Sequence, residues 1–152
     1  SQVGNYSGVS LKNENNINNI QANVEILDER FAELNTLKLL KIDVEGMEKK
    51  VIQGAINLIR RTKPFLYFQN GPDHIDKSQE LIELAFSLDY KLFWHIPLFY
   101  NKDNFFKNEQ NCFINNGRDK ASCNMLGIHK DLNIKVDMLE LKDSSFHPFK
   151  AP

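Results

Sequence analysis

Three carboxylates crowd one short stretch, "LLKIDVEGMEKKVIQGA" (Leu39 to Ala55): Asp43, Glu45 and Glu48 gather around Gly46 at the end of an apolar run. Carboxylates ordinarily sit on solvated surface, so their place at the tip of a strand-like segment asks for a reason. Asp43 and Glu45 are two residues apart and would point the same way from an extended chain. As a pair they could hold a divalent cation or orient a hydroxyl. In the plainer alternative, Glu45 turns outward at Gly46 and Asp43 alone faces the cleft, capping the helix that follows. Glu48 falls in the first turn of that helix, where negative charge suits the dipole, and it is near enough to reach back to the turn.

The other reactive side chains are scattered. His74, His95, His129 and His147 show no H-x-H or H-E-x-x-H spacing, so no zinc site is expected. His95 follows Trp94 near a strand end and is a candidate cleft acid or base, although packing is an equal fate for either residue. Cys112 and Cys123 lack a C-x-x-C spacing and a neighbouring base, which argues against nucleophilic catalysis. Gly4 and Gly8 lie in a polar stretch and form no phosphate-binding fingerprint. Trp94, Phe99, Tyr100, Phe105 and Phe106 could line a pocket or form satellite core under a loop.

Residues 4–23 are rich in Asn, Ser and Gly and predict an exposed loop, with "GVSL" as a short edge strand. "VEIL" (Val24 to Leu27) is a strand candidate, and Asp28 is placed to cap a brief helix, "ERFAELN". "LKLLKIDV" (Leu37 to Val44) has the length and apolar content of a strand covered on both faces. From Met47 a helical stripe of Met47, Val51, Ala55, Leu58 and Ile59 runs on until Pro64 stops it. "FLYF" (Phe65 to Phe68) is a second buried strand. Asp76, with Gln79 as capping-box partner, is expected to start the next helix, whose Leu81, Leu84, Ala85 and Leu88 face inward. "KLFWHI" (Lys91 to Ile96) is a third strand, 97–121 a long loop, Ser122 to Lys130 a fourth strand, and 131–152 a weakly structured tail with one amphipathic turn at "VDMLEL".

Strands alternating with helices predict one α/β domain over 1–152 with a largely parallel sheet. Ligands in such sheets sit beyond the carboxyl ends of the strands, so Asp43 and Glu45, then Gln69 and Asn70, then His95 are expected to share one cleft. Bulk composition sets the outer limits. The 152 residues are 41% hydrophobic and 26% charged with net charge −1, ordinary for a globular domain. No basic field favours nucleic acid or anionic lipid, no apolar run is long enough to span a membrane, and no signal peptide is visible, so neither nucleic acid nor membrane is expected as a partner. The two cysteines suit free thiols in a reducing, cytoplasmic setting.

"LLKIDVEGMEKKVIQGAINLIRRTKPFLYFQN" is similar to the signature block of FkbM-type S-adenosylmethionine-dependent methyltransferases. That block runs hydrophobic strand, K-I-D-x-E-G-x-E, helix with a "G-A" pair, basic residue, Pro, strand. The similarity extends through "NYSGVSL" and "VEILDE" upstream and "DKSQELIELAFSLDYKLFWHIPLFYNKDNFF" and "SCNML" downstream, roughly Asn5 to Lys130. The resemblance implies a Rossmann-like methyltransferase sheet and methyl transfer from S-adenosylmethionine to a hydroxyl of a small molecule or glycan. It implies that Asp43 sits at the strand end beside the transferred methyl, with Glu45, Gly46 and Glu48 as the rest of the block. Asn70 and Trp94 join Glu48 as expected pocket residues, and His95 joins Asp43 and Glu45 as a catalytic candidate. Gln69 stands where the family commonly has a glutamate. The family's upstream glycine-rich loop and acidic ribose ligand have no counterpart, so the chain is expected to carry only the later half of the sheet, as a fragment or truncated homologue. Two other classes stay in view: a magnesium-dependent hydrolase built on Asp43 and Glu45, and a non-catalytic assembly or binding module. An exposed edge at "LKLLKIDV" predicts a homo-oligomer.

Overall fold

A computed structural model describes residues 23–149; the expected Asn-rich loop and the "GVSL" strand lie outside them, save for Asn23. In chain order the elements are α1 (Leu27–Arg30), β1 (Leu39–Ile42), α2 (Glu48–Gln53), α3 (Ile56–Thr62), β2 (Phe65–Gln69), a 3-10 turn (Pro72–His74), α4 (Ile75–Ser87), β3 (Tyr90–His95), β4 (Ile114–Asn115), β5 (Arg118–Asp119), β6 (Asn124–His129) and β7 (Glu140–Leu141). Five strands make one mixed sheet in the order β1-β2-β6-β3-β7, and β4-β5 form a separate small hairpin.

The sheet departs from the expected parallel one. β1 and β2 pair in parallel, but β6 enters between β2 and β3 and runs antiparallel to both, and β7 pairs antiparallel with the far side of β3. A helical crossover brings the chain back in the same direction, so β1, β2 and β3 run parallel, whereas a strand that returns without one can run the other way. Here the crossovers α2–α3 and α4 link β1, β2 and β3, and β6 comes back through the long connection without one.

Alternation of side chains divides the sheet into two faces. Ile42, Leu66, Phe68, Leu92 and Met125 enter the core with Ile52, Ala55 and Ile59 of the α2–α3 segment and Leu81, Ile82 and Ala85 of α4. Tyr90 crosses under β6 within this core and donates its hydroxyl to the Pro64 carbonyl at 2.8 Å. Gly127 of β6 leaves the room: a Cβ there would come within 3.1 Å of Leu66 and 3.2 Å of the Tyr90 ring. Burial drives the Tyr90 phenol well above its ordinary pKa. The opposite face of the sheet carries Lys41, Tyr67 and His95 and has no helix packed on it among the described elements.

Several local expectations are corrected. "VEIL" is not a strand: residues 23–26 are irregular and Leu27 already opens α1. The helix from Met47 to Pro64 is two helices, broken at Gly54 and Ala55. Asp28 caps neither its own helix nor a neighbour in sequence. Its carboxylate accepts from the Leu58 and Asn57 amides at 2.7 and 3.0 Å, so it caps α3 from 29 residues away. Asp76 lies inside α4, which carries no side-chain cap, and Gln79 bonds Glu83 instead. Residues 97–121 hold the β4–β5 hairpin and a bridge from Leu98 to Ala121. The tail contributes β7, and its His147 is buried.

Candidate functional site

The strand tip that carries the carboxylates ends in a tight turn. Met47 N donates to Val44 O at 3.3 Å, and Glu45 (φ 48°) and Gly46 (φ 86°) both take positive φ between them. Two positive φ values at the central positions are the mark of a type I′ turn. Glycine accepts that backbone freely, whereas Glu45 holds it at a cost. The strain is held by Glu48, whose Oε1 accepts from the Val44 amide at 3.2 Å and the Gly46 amide at 3.3 Å. Glu48 is 5% exposed, so it is an internal clamp on the turn and more than a dipole partner on a helix surface. Gly46 also leaves room for the His74 ring: a Cβ would lie 2.7 Å from its Nε2, so the imidazole would have to move aside.

The left-handed turn ends the alternation on which the Asp43–Glu45 pairing rests. Asp43 is exposed and bonds Lys41 Nζ at 3.1 Å, while Glu45 is half-buried in the turn. Among the described residues no group of three or more His, Cys, Asp or Glu could hold a metal ion, so the third ligand a magnesium-dependent hydrolase needs does not come from them.

The expected single cleft is two places. On the helix side, at the tips of β1 and β2, a cavity of ≈ 220 Å³ brings together Glu48, Gln69 and Asn70 with His74, Lys77 and Ser78. Asn70 is 4% exposed, and its Nδ2 donates to Ser78 Oγ at 2.9 Å. Its carbonyl lies 3.1 Å from His147 Nε2, which ties the tail to the tip of β2. Trp94 also faces the helix side, edge-on to the His147 ring at 4.9 Å, and its buried Nε1 finds no hydrogen-bond partner among the described residues.

Asp43 and His95 belong to the other place, the open sheet face. Strand register sets Lys41 beside Tyr67, and Gln69 and His95 on either side of Asn124. Tyr67 Oη and His95 Nδ1 are 2.8 Å apart. Burial raises the Tyr67 pKa; Lys41 and the Asn124 side chain each pull it part of the way back. The phenol therefore stays protonated at neutral pH and shares one hydrogen with the imidazole. Asp43, Lys41, Tyr67 and His95 thus form a polar row across β1, β2 and β3. Sequence reading missed Lys41 and Tyr67. The available signal was a lysine inside an apolar run, two residues before Asp43 and so on its face, and a tyrosine among phenylalanines in "FLYF".

The methyl donor that the resemblance implies is a sulfonium cation joined to a ribose and an adenine. The helix-side cavity is lined by both signs of charge, Lys49, Lys50 and Lys77 with Glu48 and Glu80, and Lys49 is already paired to Glu80 at 2.6 Å. The open face presents Asp43 without an enclosing wall.

No helix among the described residues is long and apolar enough to cross a membrane. A family model described as the methyltransferase FkbM domain matches residues 2–108. Neither a curated protein nor a solved structure gives a match.

Proposed function

The chain belongs to the FkbM methyltransferase domain family, which implies S-adenosylmethionine as the methyl donor, and from that premise we propose that it supplies the acceptor side of a methyl transfer to a hydroxyl. The mixed α/β sheet accords with a methyltransferase-like domain. The observation that carries the proposal is the position of Asp43, exposed at the tip of β1 and on the face of the polar row. There it orients the acceptor hydroxyl and takes up its proton as the oxygen becomes nucleophilic. Its bond to Lys41 joins two well-exposed side chains and does not lock the carboxylate away. His95, steered by Tyr67, is the second group within the row that can accept a proton.

The acceptor is a small molecule or glycan. Support comes from the helix-side cavity, whose amides, hydroxyl, lysines and carboxylates offer both donors and acceptors to a polyhydroxylated body. The cavity lies at the tips of β1 and β2, so an acceptor body held there has to reach past the Val44–Met47 turn to bring its hydroxyl to Asp43, and that alignment is the enzyme's main task. The setting is cytoplasmic, as befits free thiols at Cys112 and Cys123. Two copies pair through β1, the edge strand of the described sheet, where Leu39 is 53% exposed. Asp43→Ala tests the reading: transfer is lost while donor binding, followed by calorimetry, persists. Undiminished transfer in that variant refutes it.

A further inference from the structure

Phe105 and Phe106 are 90% and 86% exposed, the most open aromatic side chains of the described residues. They stand at the two central positions of a turn that Lys107 N closes onto Asn104 O at 3.0 Å. Their rings meet edge to face at 5.3 Å. The turn is braced from below. Asn104 Oδ1 accepts from the Asn108 amide, Asn104 Nδ2 donates to the Asn101 and Asn108 carbonyls, Asn101 Oδ1 accepts from the Asp103 amide, and the Tyr100 hydroxyl donates to the Asn108 carbonyl. So many short-range bonds fix a protrusion whose outermost part is wholly apolar.

We propose that this turn is a wedge that seats the protein on the surface of a lipid bilayer, with Phe105 and Phe106 entering the boundary between head groups and acyl chains. The bracing satisfies polar groups at the base of the loop, so only the Phe105 and Phe106 main chain must stay at head-group level, where water and lipid head groups can solvate it, while the two rings go deeper. Two phenylalanine side chains bury roughly 300–500 Å², short of the roughly 800 Å² that each partner gives to a stable protein interface. A fluid bilayer needs no such complementary surface. Lys102 and Lys107 flank the rings and are long enough to keep their ammonium groups among lipid phosphates, while Asp103 and Glu109 balance their charge. The attraction is therefore apolar, and it holds for zwitterionic lipid and at raised salt. Span length and net charge, on which the expectation of no membrane partner rests, do not bear on a two-residue wedge.

The test is co-sedimentation of the full chain with phosphatidylcholine vesicles, alone and with phosphatidylserine added, at low and high salt. The expected result is binding that changes little with either variable. Each Phe→Ala substitution should weaken partitioning by about tenfold or more. Phe105→Ala with Phe106→Ala should abolish it at an unchanged melting temperature, since neither ring packs on the core. Phe106→Trp should bind and show an added blue-shifted emission on vesicles. Three outcomes overturn the proposal: no vesicle binding, equal binding by the double alanine variant, or self-association that this variant removes in the absence of lipid, which would mark a surface between copies.

Discussion

At the residue scale, Glu48 links the signature to its geometry. Its carboxylate satisfies two amides of a turn in which a non-glycine residue, Glu45, holds a left-handed backbone. Glu48→Ala leaves both amides without an acceptor in a part-buried place and should destabilise the fold by about 1–3 kcal/mol. Glu48→Gln keeps one carbonyl oxygen and should lose clearly less. Urea unfolding midpoints of the two variants check this; equal midpoints for wild type and Glu48→Ala would show that the clamp does not matter. The sequence put Glu48 in the right place with the right reach, because Gly46 announced the turn and helix spacing brings the fourth residue back over it. It could not decide between an idle first-turn acid and a clamp, since that depends on burial. Tyr67 escaped notice for the same reason. A buried-strand pattern says nothing about which face its one hydroxyl meets, and the partner, His95, lies 28 residues on.

Elements with strong local signals were legible: β1, β2 and β3 follow from apolar runs bounded by Gly or Pro, and α4 from its helical stripe, which ends at a left-handed Asp89. What failed was long-range. The insertion of β6 between β2 and β3 is a pairing between segments about 30 to 60 residues apart, which periodicity cannot register. β7 is two residues long and survives only because β3 offers it an edge. The role of Asp28 belongs here too. Ala55, at the N-cap of α3, has no side chain able to cap it, and the carboxylate arrives from α1 instead. Asp28→Ala should cost about 0.5–2 kcal/mol and should loosen α1 together with α3. Amide exchange read residue by residue would show both helices losing protection; loss confined to α1 would contradict this capping in trans.

For the whole molecule, the sheet is one-sided within the described residues: helices cover one face, and the polar row and the β1 edge stay open. An open edge with an exposed leucine favours strand-to-strand pairing, with Lys41 as the charge that limits it to a defined register. Light scattering should therefore report twice the 17.6 kDa of one chain, and a single monomeric species would count against pairing. The same open face is where the reaction is placed, so the account depends most on Asp43. The direct measurement is transfer of labelled methyl from S-adenosylmethionine to hydroxyl acceptors, wild type against Asp43→Ala, with donor binding followed in parallel. Asp43→Ala should lose at least about 10²-fold in transfer at nearly unchanged donor affinity; full transfer by this variant would rule out Asp43 as the group that takes the hydroxyl proton.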